Sequence, residues 1–267
     1  IFKPLAADDK VSTKTLLHEA IPITGSIVSG TYGAHANEGN VQNFTHGMFQ
    51  SVYDYPYLSS SANHIFDISF GTSKNSTLAV TSQEKKKDNV YNQMAQVLMG
   101  YDQDGNIQRF DEDGNLVATD TKMDEVIFLS FSRLLVKDEI KKGSFELELG
   151  VNGDYDNGDE FDKRIKIVDQ GAATSYKVNS PAGEYGILYA TSSVASVPVL
   201  NEASAHTASI DGVTYWRAGL IYYQAGVAVL TSSILSCTGA NGGYGFLRGL
   251  EETGDTAEWL SIQMAQL

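Results

Sequence analysis

Short runs of alternating apolar and polar residues are the feature that most constrains how this chain folds. In HIFDISFG, residues 64–71, Phe66, Ile68 and Phe70 alternate with polar residues, and FELELG, residues 145–150, repeats the pattern. Alternation places the apolar side chains on one face of a strand, as a half-buried sheet requires. The sequence therefore predicts a mainly β fold of sandwich-like antiparallel sheets, with one or two short amphipathic helices.

Further strands are predicted along the rest of the chain. The candidates are residues 126–135, 165–168, 175–178, 186–190, 213–217 and 220–230. The simplest account pairs residues 126–135 with 145–149 as a hairpin across the charged turn at 137–143.

Glycines mark turns and irregular backbone in the second half of the chain. Asp211-Gly212 stands between Ile210 and Val213 and has the composition of a two-residue hairpin turn. Gly219 or Gly226 is expected to mark a bulge or a close backbone approach.

Between residues 88 and 99 the apolar period changes to that of a helix. The apolar face consists of Val90, Tyr91, Met94, Val97 and Leu98. Asp88 is suited to cap the start of this helix and Gly100 its end.

Three regions are expected in the chain. Residues 1–64 read as irregular with short strands, and residues 65–250 as a β-rich domain that includes helix 88–99. Residues 251–267 read as a C-terminal helix or linker, because their apolar residues have helical spacing.

Charge, cysteine content and apolar stretches indicate which partners and which compartment to expect. Nineteen Lys and Arg against 33 Asp and Glu give a net charge of −14, which argues against nucleic acid and anionic membranes as partners. Cys237 is the only cysteine, which fits synthesis in a reducing cytosol. No apolar stretch approaches the roughly 20 residues that span a bilayer, so we expect no membrane insertion.

One nine-residue phrase occurs twice in YDQDGNIQRFDEDGNL, residues 101–116. A calcium-binding EF-hand loop needs a carboxylate at its first position, but Gly100 or Arg109 falls there when Gly105 or Gly114 is placed at position six. Because Gly and Asn tolerate positive φ, we favour two tight turns over a calcium site.

A second acidic segment, NGDYDNGDEFD, spans residues 152–162. Asp154, Asp156 and Asp159 are candidate calcium ligands, since calcium accepts an irregular shell of oxygens. An exposed acidic hairpin loop is the alternative. Calcium is the only cofactor that the sequence suggests.

Familiar catalytic motifs are absent from the sequence. It contains neither His-Glu-x-x-His nor Gly-x-Ser-x-Gly, and the Gly-rich stretch at 242–245 is not followed by Gly-Lys-Ser/Thr. We therefore expect no enzyme activity.

Tyrosines are concentrated at residues 53–57. Tyr53, Tyr55 and Tyr57 alternate with Asp54 and Pro56, which would present three rings on one side of an extended segment. Tyr buries a large area and keeps a polar end, which suits contacts made on assembly. We predict these rings as interface anchors, together with Trp259. The alternative is that they cover this chain's own core.

Four phrases carry a resemblance to a known group of proteins. They are LLHEAIPITGSIVSGTYG (16–33), HGMFQSVYDYPYLSSSANHIFDISFG (46–71), VYNQMAQVLMGYDQDGNIQRFDEDG (90–114) and SRLLVKDEIKKGSFELELG (132–150). Over about residues 15–230 the chain resembles poorly characterised virion structural proteins of contractile-tailed phages that infect marine cyanobacteria and related bacteria. The resemblance implies a particle component without catalysis and supplies no active-site residues.

The sequence and the resemblance together predict an assembly protein of a tailed-phage virion. We expect it in the tail, neck or baseplate, made in the host cytoplasm and bound to other virion proteins as a homo-oligomer or ring component. The alternatives are a receptor- or glycan-binding module at the tail tip, a capsid decoration protein, and a hydrolase of cell-wall or capsular sugar.

Overall fold

The fold is dominated by one antiparallel sheet. The computed structural model describes residues 41–43, 49–76, 84–117, 121–132, 139–151, 163–192 and 206–234. Within these ranges ten strands form the sheet. They are β1 (Val41–Asn43), β2 (Phe49–Tyr53), β3 (His64–Thr72), β4 (Glu125–Phe131), β5 (Glu146–Val151), β6 (Lys163–Val168), β7 (Tyr185–Ser192), β8 (Thr207–Ile210), β9 (Val213–Tyr222) and β10 (Val227–Thr231). The prediction of a mainly β fold is confirmed.

The strand order differs from the chain order at the middle of the sheet. The order is β1-β2-β3-β4-β10-β9-β7-β6-β5, and β8 pairs with β9. The predicted hairpin between residues 126–135 and 145–149 is wrong, because β3 and β10 occupy both edges of β4 while β5 pairs with β6. A hydrogen bond anchors the connection from β4 to β5: Ile140 N donates to Tyr223 O at 2.9 Å.

The turn between β8 and β9 follows the sequence prediction. Asp211 and Gly212 have φ of 52° and 80°, and Ile210 pairs with Val213 across them. Positive φ at both central residues is the geometry of a type I′ turn, which matches the twist of the two strands.

Gly219 allows β9 to lie close to β10. Its φ is 150°, and a Cβ at this position would stand 1.9 Å from Val229 O. The register on β7 also shifts here, between Leu188 and Tyr189. The predicted bulge with close backbone approach therefore lies at Gly219, whereas Gly226 has φ of 68° in the turn before β10.

Residues 175–178 were predicted as a strand, and this prediction is wrong. Helix α2 spans Ala172–Ser175, and Lys177 makes only an isolated bridge with Tyr185. The carbonyl of Gly171 accepts hydrogen bonds from both the amide and the hydroxyl of Ser175, which closes a helical turn there.

A large hydrophobic cluster lies on one face of the sheet. Phe131 at the end of β4 and Phe145 before β5 have ring centroids 5.8 Å apart, although their strands are far apart in the sheet order. The sheet therefore curls toward this face. The cluster includes Val52, Phe66, Ile68, Leu129, Ile167, Leu188, Trp216, Ile221 and Leu230.

The other face packs against helix α1, Glu84–Leu98. The helix was predicted at 88–99 and begins earlier than Asp88, which instead accepts a hydrogen bond from Thr72 Oγ1 at 2.7 Å. This bond links the helix to β3. The buried residues of this second cluster include Tyr91, Ala95, Leu98, Met99, Phe110, Val126, Phe128, Tyr185, Leu220, Tyr222 and Val229.

Two of the predicted regions meet in the sheet. Strands β1 and β2 come from region 1–64; β1 pairs with β2, and β2 pairs with β3. Region 251–267 lies outside the described residues. Neither α1 nor α2 combines the length and apolar composition that a bilayer crossing requires.

Candidate docking site

The β2–β3 hairpin holds the three tyrosines predicted as interface anchors. Strand β2 ends at Tyr53, and a register shift after Val52 places Tyr53 opposite His64. Asp54 closes the base of the connecting loop: its Oδ1 accepts from Asn63 N at 2.6 Å and its Oδ2 accepts from Asn63 Nδ2 at 2.8 Å. Asp54 N also donates to Asn63 O at 3.1 Å.

Two further turns fold the loop between Asp54 and Asn63. Ser59 N donates to Pro56 O at 2.7 Å, and Ala62 N donates to Ser59 O at 3.1 Å. The prediction of an extended segment at residues 53–57 is therefore wrong. Pro56 has no amide hydrogen for a strand ladder, and Asp54 is engaged in closing the turn.

Three large apolar or aromatic side chains of this loop face solvent. Leu58 is 86% exposed, Tyr55 51% and Tyr57 37%. These side chains do not cover the described core. Trp259, the fourth predicted anchor, lies outside the described residues.

A row of rings links the loop to the sheet. The ring centroids of Tyr57 and Tyr53 are 6.3 Å apart, and those of Tyr53 and His64 are 5.5 Å apart. Tyr53 Oη donates to Gln42 Oε1 at 3.0 Å, so strand β1 helps to orient the central ring.

Asp67 ends this row on β3. Its Oδ1 accepts from Ser51 Oγ at 2.6 Å and lies 2.8 Å from His64 Nε2, which donates because an ionised carboxylate only accepts. The side chains of His64 and Asp67 are 31% and 36% exposed. Sequence reasoning did not join His64 to Asp67, since both residues follow the ordinary alternation of a strand.

Ser51, His64 and Asp67 are the residue types of a hydrolytic triad in a different arrangement. In a triad the imidazole stands between the hydroxyl and the carboxylate and takes the proton of the nucleophile. Here the carboxylate of Asp67 stands between Ser51 and His64. The imidazole of His64 is therefore bonded to Asp67 and not to the hydroxyl of Ser51.

The repeat at 101–116 forms two Asx turns. In the first copy, Asp102 Oδ1 accepts from Asp104 N at 2.9 Å and from Asn106 N at 2.8 Å. The hydrogen bond from Asn106 N is the main cause of a lowered pKa at Asp102. In the second copy, Asp111 Oδ1 accepts from Asp113 N at 3.1 Å and from Gly114 N at 3.2 Å.

No group of three or more metal-binding side chains is placed to hold an ion within the described ranges. Asp102 and Asp111 each accept hydrogen bonds from the backbone of their own turn, which agrees with the prediction of turns. Asp154, Asp156 and Asp159, the candidate calcium ligands, lie outside these ranges.

The second copy of the repeat contributes to a buried polar cluster. Asp111, fully buried, pairs with Lys122 Nζ, and Glu112 Oε2 lies 2.7 Å from His206 Nδ1. The ring of His206 stacks on Trp216 with centroids 5.3 Å apart. Burial raises the pKa of Glu112. Glu112 and His206 are 94 positions apart, so their pairing leaves no local signal in the sequence.

Comparison of the chain with protein-family models, with curated proteins and with solved structures finds no match.

Proposed function

We propose that this protein is a structural component of a tailed-bacteriophage virion and acts by docking to other proteins. Two observations support this proposal. The four long phrases of the sequence resemble virion proteins, and the β2–β3 loop presents exposed apolar side chains on an ordered backbone.

The exposed loop is the observation that carries this proposal. Burial of a side chain such as Leu58 in a partner would contribute about 1.5–3 kcal/mol. Five hydrogen bonds already order the loop: three join Asp54 to Asn63 at its base, and one each closes the turns from Pro56 to Ser59 and from Ser59 to Ala62. Docking then costs less conformational entropy than it would for a flexible segment.

The proposed position is the tail, neck or baseplate, where rings of identical subunits repeat one modest interface. Quantitative mass spectrometry of purified particles, scaled to the major capsid protein, tests it. A ring component would be present at about 6 to 18 copies per particle, and a capsid decoration protein at hundreds. Absence from the particle would refute the virion role.

A substitution in the loop tests docking itself. Tyr55→Ala should lower incorporation into particles and leave the melting temperature of the isolated protein nearly unchanged, because this ring is 51% exposed. Tyr101→Ala is the matched control, since Tyr101 is 55% exposed on the first turn of the repeat. Equal incorporation of the two variants would contradict docking through the loop.

A receptor- or glycan-binding role at the tail tip is the second candidate. The observation in its favour is the row of rings beside the carboxylate of Asp67, since rings stack on sugar faces and carboxylates accept hydrogen bonds from hydroxyls. The sugar titration described below separates this role from protein docking.

A further inference from the structure

The row Tyr57, Tyr53, His64 and Asp67 has the chemistry of a cation-binding surface. The ring contacts extend from Tyr57 through Tyr53 to His64, and the imidazole is bonded to Asp67. Ring faces attract cations through their quadrupole, and a carboxylate supplies the countercharge. A cation lying along the row would meet both.

One oxygen of Asp67 is available for such a ligand. Ser51 and His64 both bond to Oδ1, and within the described residues Oδ2 makes no hydrogen bond. Two donors on Oδ1 fix the orientation of the carboxylate. With its side chain 36% exposed, Asp67 therefore presents Oδ2 as an oriented acceptor.

The local charge favours a basic partner. Residues 49–72 contain two carboxylates, Asp54 and Asp67, and no Lys or Arg. Both oxygens of Asp54 accept hydrogen bonds from Asn63, whereas Ser51 and His64 bond to one oxygen of Asp67 only. The whole chain has a net charge of −14, which adds a long-range attraction for basic surfaces.

We propose that this row binds an Arg or Lys side chain of a partner virion protein, with the cationic group at Asp67 Oδ2 and the aliphatic stem along the rings of Tyr53 and Tyr57. This assignment rests on the proposed docking function and names the chemistry of its partner. Exposed Leu58 adds an aliphatic contact that suits a protein surface better than a hydroxyl-covered sugar.

Three small probes test the site on the isolated full chain. They are N-acetyl-arginine amide, the uncharged citrulline counterpart of the same shape, and methyl glucoside. NMR follows the ring resonances of His64, assigned by their loss in His64→Asn. The expected result is a saturable shift with the arginine probe that the citrulline probe does not produce, because only the former carries a charge.

Variants locate the binding. Asp67→Asn should weaken binding of the arginine probe roughly tenfold, since a charge-assisted hydrogen bond is lost. Tyr57→Leu should weaken it about two- to fivefold through loss of one ring face. Asp104→Asn is the control, because Asp104 is an exposed carboxylate on the first turn of the repeat, and it should leave binding unchanged.

The other outcomes overturn the proposal. Equal binding of the arginine and citrulline probes would refute a cation site, and so would no saturable shift with either. Saturation by methyl glucoside alone would assign the row to sugar binding. These results concern the isolated chain, whereas the number of copies per particle tests the virion role, so the two proposals fail separately.

Discussion

In the first copy of the repeat Asp102 bonds to its own turn at the protein surface, whereas in the second copy Asp111 is fully buried and pairs with Lys122. Both copies place glycine at positive φ, 81° at Gly105 and 67° at Gly114. The two turns therefore share the bond from the aspartate to the residue two positions on and the glycine conformation, whereas their surroundings differ.

The difference shows that a short phrase determines its own turn but not its own burial. Asp-x-Asp-Gly-Asn forms an Asx turn through its own side chain and glycine both at the surface and in the buried copy. Burial depends on what the rest of the chain brings against it. For the second copy these neighbours are Lys122 beside Asp111, Tyr185 beside Gly114 and His206 beside Glu112.

The largest expected difference between the copies concerns the buried ion pair. Lys122→Met leaves the carboxylate of Asp111 buried without its countercharge and should lower the free energy of unfolding by about 3–5 kcal/mol. Asp102→Asn, in the exposed turn, should cause a far smaller loss. Urea denaturation of both variants measures the difference. Equal losses in the free energy of unfolding would show that the buried ion pair contributes no more to stability than the exposed turn.

The glycines provide a smaller and more closely matched test. Gly105→Ala and Gly114→Ala both impose positive φ on a residue with a Cβ, which costs about 1–2 kcal/mol. A Cβ at Gly114 would also stand 3.0 Å from Tyr185 Oη, whereas at Gly105 nothing lies within 4 Å. Gly114→Ala should therefore cost about 1–3 kcal/mol more. Chemical denaturation is the measurement, and similar costs would mean that Tyr185 moves away freely.

The smallest expected effects are in the pH dependence of stability. Burial raises the pKa of Glu112, so its contribution to stability is present below the ordinary value of 4.5 and is lost as pH rises through the folded pKa. Glu112→Gln should therefore gain stability relative to the wild type as pH rises above 4.5.

Asp102 should show the opposite sign. Its pKa is lowered from 3.8, so its contribution is present above that value and is lost as pH falls through the folded pKa. Asp102→Asn should gain relative to the wild type on acidification. Denaturation at a series of pH values checks both variants. If the stability of both, relative to the wild type, changed in the same direction with pH, the proposed difference between the buried Glu112 and the exposed Asp102 would be contradicted.

Local patterns predicted the elements that depend on local chemistry. The alternation in residues 64–71 predicted β3, the helical period predicted α1, and Asp211-Gly212 predicted the turn between β8 and β9. Each of these signals lies within one element, where period or turn geometry determines the backbone.

Long-range pairing could not be predicted in the same way. Residues 126–135 and 145–149 are close in sequence and both have the composition of strands, yet β4 pairs with β10 because residues 227–231 compete for the same edge. The candidate docking site shows the same limit. The tyrosines were found from their spacing, but the loop geometry and the bond between His64 and Asp67 depend on the bulge beside Tyr53.

The central position of β10 also determines when the sheet is completed during synthesis. The strands from β1 to β4 and those from β5 to β9 leave the ribosome before residues 227–231, which join the two sets. Until then the growing chain carries unpaired backbone groups along β4 and the second half of β9, the arrangement that most readily pairs with a neighbouring chain. Slow translation just upstream of residue 227 would therefore lengthen the interval in which nascent chains aggregate, and a chaperone that shields strand edges would act there.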